Sequence, residues 1–292
     1  MIELLAPAKL NLGLELLGRR DDGYHEIRTV MVPVSLVDRL RVAPSSEDRL
    51  MTAGIAVATG GNLVTRAADL ARVTWTTPPL DVTLTKRIPL AAGLGGGSSD
   101  AASTLLAAAH LADHEVAAAD LLALAARLGS DVPFFLAGGP ALVSGRGDVV
   151  TPLGGSVALH AVVVAPAIAI PRKTATLYGS ISAGDFSDGS NVASIAAEIA
   201  AVAERHDALP NAFRRPLHAL VPDLADLART IQVVSSLPAN VSGAGPAHYV
   251  LCRDAEHASF VARRLRPAFG CARATVHAVR SVAGLNARGV AA

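Results

Sequence analysis

The chain has 292 residues, 51% of them hydrophobic and only 3% aromatic, with 26 basic and 25 acidic side chains and a formal net charge of +1. That length fits one large domain or two ordinary ones sharing an interface, and the core must be built from Ala, Val and Leu rather than from rings. No basic excess is available for a phosphate backbone, which argues against nucleic-acid binding, and the longest apolar stretch, Val157 to Ile170, is too short to span a bilayer.

From Leu10 to Leu16 apolar residues alternate with Asn11, Gly13 and Glu15, the pattern of a half-buried strand. Asp21-Asp22-Gly23 signals a turn, Tyr24 to Val34 reads as the partner strand, and Arg39 to Val42 continues the sheet. Asn62 is a good N-cap for a helix reaching Arg72, and Asp81 to Lys86 is a further strand. A glycine loop, Gly93 to Gly97, opens into an Ala/Leu-rich helix from Ser98 to Leu111, followed by a helix from Ala117 to Leu128 and short apolar pieces at Val132–Leu136 and Ala141–Ser144. Gly154-Gly155 marks a boundary, giving domains 1–153 and 154–292. The second half opens with a buried strand, Ala158 to Val164, and a Ser/Gly/Asp-rich loop, Gly179 to Gly189. Helices follow at Val192–Glu204, Asn211–Ala219 and Leu224–Val233, then strands Leu237–Val241 and Tyr249–Cys252 around a glycine turn, a helix Glu256–Leu265 and a closing strand Ala274–Val279. The class is α+β, with strands segregated from paired helices. Cys252 and Cys271 stand apart without metal-ligand spacing, and no basic-then-apolar leader opens the chain, so a reduced, cytoplasmic setting is expected.

The sharpest feature is Pro89-Leu90-Ala91-Ala92-Gly93-Leu94-Gly95-Gly96-Gly97-Ser98-Ser99-Asp100. Its glycines let main-chain N–H groups turn toward a ligand, and the helix that follows adds free donors and partial positive charge. Ser98 and Ser99 add hydroxyls, so the segment suits a polyphosphate. It is neither a Walker loop, lacking Gly-Lys-Ser/Thr, nor a dinucleotide fingerprint, since Ser98 stands where the last glycine belongs. Lysine occurs only at Lys9, Lys86 and Lys173, every other basic residue being arginine. Such a chain keeps Lys where a compact ammonium is needed and a planar guanidinium does not fit.

The Pro89–Asp100 segment resembles the phosphate-binding motif of the GHMP kinase superfamily. Ala6-Pro7-Ala8-Lys9-Leu10-Asn11-Leu12 resembles that superfamily's first motif, and Ser242-Gly243-Ala244-Gly245-Pro246 its third, a glycine turn near the nucleotide. The three occur in family order and span nearly the whole chain. Asp22-Gly23-Tyr24-His25 and Leu128-Gly129-Ser130-Asp131-Val132-Pro133-Phe134-Phe135 are similar to the branch that phosphorylates a diphosphocytidyl-linked methylerythritol in the non-mevalonate route to isoprenoids.

This resemblance implies a two-domain fold, an N-terminal nucleotide-binding domain of the S5 domain 2-like type and a C-terminal ferredoxin-like α/β sandwich. It implies ATP as phosphoryl donor, bound by Pro89 to Ser99, with Lys86 reaching the phosphates and Asn62 at the adenine side, where helix capping is an equal reading. Mg²⁺ is implied by the charge on the transferred group, with Ser99 or Asp100 at hand but no ligand assigned. Asp131 is expected to be the general base and Lys9 the cation that keeps it ionised and orients the substrate. Asn11 is expected to bind the methylerythritol portion. Tyr24 and His25 face the cytosine, a ring for stacking and an imidazole for the base edge. Thr174 and Tyr178 match the Thr-to-aromatic spacing of the second domain, although Arg172 and Lys173 intervene after Pro171, and Tyr178 is expected opposite Tyr24. Ala244 departs from the family's Ser or Thr and removes one hydroxyl. The partners expected are small molecules alone, with no nucleic acid or membrane, and the protein a monomer or weak homodimer. The rival readings are a GHMP kinase for homoserine, mevalonate or a sugar, and a catalytically silent nucleotide-binding protein; Tyr24-His25 argues against the first, Lys9 with Asp131 against the second.

Overall fold

A computed structural model describes residues 1–57, 61–154, 157–205 and 207–285. Strands β1 (Ile2–Arg19) and β2 (His25–Pro44) form one long antiparallel hairpin around the Asp21-Asp22-Gly23 turn. The turn is held by Gly23 at φ +82° and by the Tyr24 N–H donating to the Asp22 carboxylate at 3.1 Å. Both strands run well past the stretches that alternation marked. The register shift between Pro7 and Ala8 absorbs the proline that hid the first part of β1. Strand β3 (Arg49–Gly54) had no sequence signal, because it is an exposed edge with little alternation. It pairs in parallel with β4 (Leu80–Lys86), and helix α1 (Leu63–Trp75) supplies the crossover that parallel pairing requires. The α1 burial pattern, Val64, Ala67, Ala68, Ala71 and Trp75, is a single helical stripe.

Helices α2 (Gly96–Leu111), α3 (Ala118–Leu128) and α4 (Val132–Leu136) follow, then strands β5 (Ala141–Ser144) and β6 (Val149–Pro152), the last unanticipated. The first sheet has the order β3-β4-β2-β5-β6, with β1 also paired to β2. Its apolar face meets α1 to α4 in one core that joins Leu4, Leu40, Val82 and Leu84 to Trp75, Leu105, Leu124 and Phe134. Helix α2 is buried on every side from Ser99 to Ala108, which its small residues allow.

The second half holds β7 (His160–Pro166), α5 (Lys173–Gly179), α6 (Ser190–Ala197), α7 (Arg214–Leu220), α8 (Pro222–Ser235), β8 (Asn240–Val241), β9 (His248–Cys252), α9 (Ala255–Arg273) and β10 (Ala274–Arg280). These strands form an antiparallel sheet in the order β10-β7-β9-β8. One face carries α8 and α9, so the layout is the α/β sandwich expected. The other face packs on the first sheet: Ala161, Val163, Tyr249 and Leu251 share a core with Ala8, Leu10, Leu12, Val30 and Val32. Cys252 is a free, buried thiol whose pKa burial pushes up to about 12.

Three expectations need correction, and one helix was not expected. The helix expected from Val192 to Glu204 breaks at Glu198 (φ −115°, ψ 31°) into α6 and a 3₁₀ turn. The helix expected from Asn211 starts at Arg214, because the Asn211 side chain is taken up elsewhere. The strand expected from Leu237 shrinks to Asn240–Val241. Helix α5 falls in a stretch that carried no helical period. The boundary at Gly154-Gly155 lies between the last strand of one sheet and the first of the other, with Gly155 outside the described residues. No helix of the described residues is long and apolar enough to cross a membrane.

Candidate active site

Lys9 and Asn11 sit two residues apart on β1 and so share a face. Alternation made that face polar and half-exposed; both residues are in fact buried, Lys9 at 3%. The glycine loop and the third glycine turn cover them. The Lys9 N–H donates to the Leu94 carbonyl at 2.9 Å, and a Cβ on Gly243 would lie 3.1 Å from Lys9 Nζ. A bulge between Asn11 and Leu14, with Gly13 at φ +86°, aims Asn11: its amide donates to Thr29 Oγ1 at 2.9 Å, and that hydroxyl donates to the Gly13 carbonyl at 2.5 Å. Asn11 Oδ1 then accepts from Lys9 Nζ at 2.5 Å. Beyond the bulge the second half clasps β1, the Leu14 N–H donating to the Pro210 carbonyl at 2.8 Å and the Ala212 N–H to the Leu14 carbonyl at 2.9 Å.

Asp131 stands at the N-cap of α4 but caps nothing with its side chain. Its Oδ2 lies 3.6 Å from Lys9 Nζ, and a third of the carboxylate surface faces solvent. The structure therefore brings together two residues far apart in sequence, in the arrangement the resemblance implied.

The glycine loop borders a cavity of about 330 Å³ lined by Pro89 to Ser98 with Asn62, Leu63, Lys86 and Asp100. Gly95, at φ +72°, caps α2. Gly93 does a separate job: a Cβ there would collide with the Ser242 carbonyl oxygen, so the glycine permits the loop to touch the third turn. Ser242 Oγ donates to the Gly93 carbonyl at 3.0 Å, and the Ala247 N–H to the Ala92 carbonyl at 3.0 Å. Asn62 caps α1, accepting from the Val64 N–H at 3.0 Å, and also lines the cavity. Ser99 does not line it; the side chain is fully buried and its hydroxyl has no partner.

Lys86 lines this cavity, but its buried ammonium is already paired, with Asp38 and, at 2.7 Å, with Asp100, which sequence reasoning did not foresee. Asp38 also accepts from the Arg87 and Ile88 N–H groups at 2.5 and 2.9 Å, which fixes the entry to the loop. Burial pushes the Asp100 carboxyl up, to about 7, against the pull of Lys86.

A second cavity, of about 1030 Å³, shares Gly93 with the first. Lys9, Asn11, Tyr24, His25, Asp131, Thr174 and Tyr178 all line it. His25 stacks at 5.1 Å on Tyr178 with a 33° tilt, Phe186 lies 6.0 Å from His25, and Phe213 meets Tyr178 edge-on at 4.9 Å. The ring facing Tyr178 is thus His25, not Tyr24 as expected; Tyr24 is half exposed, with the Arg146 guanidinium 4.9 Å above it. Burial lowers the His25 pKa and Arg19 adds to the effect, which favours the neutral imidazole at the cavity.

Sequence reasoning missed Phe186, Phe213, Arg146, Asn211 and Lys173. In a chain with six Phe, three Tyr and one Trp, the rings near 178–213 were a usable signal. Asn211 holds the third turn, its amide donating to the Val241 and Gly243 carbonyls at 3.0 Å each. Lys173 was flagged only as one of three lysines, and all three prove to lie around the glycine loop.

A cavity bordered by a glycine loop and a helix start, sharing Gly93 with a larger one that holds a paired lysine and carboxylate, is the arrangement of a small-molecule phosphotransferase. The family model for the GHMP kinases N terminal domain matches residues 62–139 and that for the GHMP kinases C terminal matches residues 196–270. A relative from Dehalococcoides mccartyi called 4-diphosphocytidyl-2-C-methyl-D-erythritol kinase is 37% identical over 87% of this chain and 90% of its own length. One of the same name from Symbiobacterium thermophilum is 39% identical over 91% and 96%. A crystal structure of 4-(cytidine 5'-diphospho)-2C-methyl-D-erythritol kinase, 36% identical, covers 96% of this chain and 100% of its own with a TM-score of 0.78. The homoserine kinase of Cytophaga hutchinsonii, at 18% identity, shares the fold with a TM-score of 0.72. The chain belongs to the GHMP kinases and, within them, to the family of 4-diphosphocytidyl-2-C-methyl-D-erythritol kinases.

Proposed function

We propose that this chain transfers the γ-phosphoryl group of ATP to the 2-hydroxyl of 4-diphosphocytidyl-2-C-methyl-D-erythritol, in the non-mevalonate route to isoprenoid precursors. The observation that carries the reading is one 1030 Å³ cavity lined both by Lys9 with Asp131 and by the rings of His25, Tyr178 and Phe186. The relatives' names support the same substrate. The protein works in the cytoplasm as a monomer or weak homodimer, with domains 1–153 and 154–292 meeting at the site.

In the transfer, the 2-oxygen forms a bond to the γ-phosphorus as the bond from that phosphorus to the β–γ bridging oxygen breaks. The electron pair leaves with ADP, and the hydroxyl proton passes to the Asp131 carboxylate. Lys9, 3.6 Å from that carboxylate, holds it in register and offsets charge developing on the acceptor oxygen. Asn11 fixes the ammonium and faces the acceptor alcohol. The nucleotide phosphates lie on the Gly95–Ser98 N–H groups at the start of α2. Mg²⁺ neutralises phosphate charge when bound. Among the described residues no cluster of three or more His, Cys, Asp or Glu is placed to hold a metal. Ser98 and Asp100, which both line the glycine-loop cavity, would be the residues to hold the ion.

The experiment is an assay of ADP release with the cytidyl substrate, methylerythritol phosphate, homoserine and mevalonate, with ³¹P spectra of the product. Turnover with the cytidyl substrate alone, and a new 2-phosphate signal, is expected. Equal or faster turnover of homoserine or mevalonate refutes the reading.

A further inference from the structure

Lys173 differs from the other two lysines in what holds it. Lys86 is neutralised by Asp38 and Asp100, and Lys9 by Asp131 with Asn11. The Lys173 ammonium instead donates to two main-chain carbonyls, Ala91 at 2.7 Å and Gly245. One carbonyl belongs to the glycine loop and the other to the third turn, in the opposite half of the molecule. Neither carries a formal charge, and among the described residues Lys173 makes no ion pair with a carboxylate.

Two of its three N–H donors are thereby used and one remains. The side chain lines the large cavity together with Lys9, Asp131 and Gly93, the residue shared with the nucleotide cavity. The charged groups it faces are Lys9 on β1 and Asp131 before α4: burial draws its pKa down to about 8, Lys9 adds to this and Asp131 opposes it. A half-buried ammonium without a carboxylate partner is costly, and the cost is recovered when an anion arrives. The chemistry that places an anion at the junction of the two cavities is phosphoryl transfer. Lys86, expected on sequence grounds to meet the phosphates, has spent its charge on two carboxylates.

We propose that Lys173 is a further catalytic residue, which binds the phosphoryl group in transit between the glycine loop and the acceptor hydroxyl. The proposal rests on the phosphotransferase reading above. It explains why this exposed-looking Arg172-Lys173 insertion carries one of only three lysines, at a point where both halves contribute a carbonyl to hold it.

The test compares K173Q and K173R in the full chain. K173Q can still donate to a carbonyl but carries no charge, whereas K173R keeps the charge. K173Q is expected to lose about 10²-fold in kcat with KM for the cytidyl substrate changed less than about threefold. It is also expected to bind the imido analogue of ATP about tenfold more weakly in calorimetry while ADP binding holds, because only the former has a γ-phosphoryl group. K173R is expected to regain about tenfold or more of the lost kcat. Wild-type kcat in K173Q overturns the proposal. So does equal impairment of both variants with ADP and the analogue weakened alike, which is the signature of a strap that merely joins the two halves. If K173Q does not fold, judged by circular dichroism, K173M carries the same comparison. A wrong substrate reading shows itself separately, as a wild-type protein inert toward the cytidyl alcohol, and leaves the nucleotide titrations intact.

Discussion

Replacing Lys9 by Arg keeps the charge and tests whether the site needs a compact ammonium. One side of Lys9 lines the large cavity, but the glycine walls and polar partners on the other sides stand close. Nζ is 2.5 Å from Asn11 Oδ1 and 3.6 Å from Asp131 Oδ2. Cβ atoms on Gly95 and Gly243 would come within 3.0 Å of Lys9 Cγ and 3.1 Å of Nζ, so both glycines mark where the side chain fills the available space. At 3.6 Å the Lys9–Asp131 attraction is about 1 kcal/mol in a water-like medium and on the order of 4–5 kcal/mol at an effective dielectric of 20. Asp131 is 34% exposed, which draws the value toward about 1–3 kcal/mol, roughly 5- to 150-fold in rate. Losing the base itself costs on the order of 10²–10⁴-fold. We therefore expect Lys9→Met to lose about two orders of magnitude in kcat, Asp131→Asn about as much or more, and the double variant little beyond the worse single, since the two act as a unit. Lys9→Arg should fall within about tenfold of Lys9→Met, because the planar fork displaces the acceptor hydroxyl. Rapid-quench single turnovers with saturating ATP separate these effects from product release. Near-normal turnover in Lys9→Arg would show that diffuse positive charge suffices. Near-normal turnover in Asp131→Asn would remove the base altogether.

At the glycine loop, Gly97→Ala meets only Leu63 Cδ1 at 3.6 Å, so melting should be unchanged or rise by up to about 1 kcal/mol of helix propensity while the KM for ATP rises about tenfold; Gly93→Ala, which drives a Cβ into the Ser242 carbonyl oxygen, should give little soluble protein. Tyr178→Ala should weaken cytidyl-substrate binding by about 1–3 kcal/mol in calorimetry and leave ATP unaffected, with a larger effect than Tyr24→Ala because Tyr178 already packs on His25 and Phe213. Lys86→Arg must fit a larger head between Asp38, Asp100 and Gly96, whose Cβ would lie 3.2 Å from Nζ, so thermal melting should report a loss of about 1–3 kcal/mol. Burial lowers the pKa of His218 and His277 and brings His248 down to about 4; between that and the ordinary value near 6.5 the unfolded chain binds more protons, so stability rises with pH across this window and is lost on acidification, and His248→Gln should flatten the melting-temperature profile between about pH 6.5 and 4.

Local rules made most of the elements legible. The alternation of Leu10 to Leu16, the Asn62 cap and the glycine-opened α2 are all set within a few residues, and they stand where expected. What the sequence could not carry was set by partners distant along the chain. Edge strand β3 has no buried face to impose a period. Lys9 and Asn11 read as a polar face open to water because nothing near them announces that Gly93–Gly95 and Ser242–Gly245 close over it. Lys86 precedes the loop in sequence and so read as a phosphate ligand, yet its role depends on Asp38, supplied by β2 across the sheet. The pairing of Tyr178 with His25 rather than Tyr24 likewise depends on α5, an element whose docking by Leu177 against Phe213, Leu217 and Val241 has no periodic trace.

The lysine scarcity acquires a physical meaning from these contacts. Arginines of this chain form exposed pairs, Arg20 with Glu26, Arg41 with Glu3 and Arg49 with Glu47, where a broad fork reaches across open surface. Lysines stand instead around the glycine loop. A glycine abuts the ammonium of two of them, Gly243 at Lys9 and Gly96 at Lys86. There the main chain itself is the wall, and it cannot retreat to admit a guanidinium. Lys173 instead gives its ammonium to two main-chain carbonyls, those of Ala91 and Gly245, and has no carboxylate partner among the described residues, so charge is what the proposal above asks of it. The same Lys→Arg exchange is therefore expected to act in opposite ways: at Lys9 to disturb a fit, and at Lys173 to keep the charge on which the proposal rests. A site built only on net positive charge would tolerate all three exchanges alike, and one built only on shape would tolerate none.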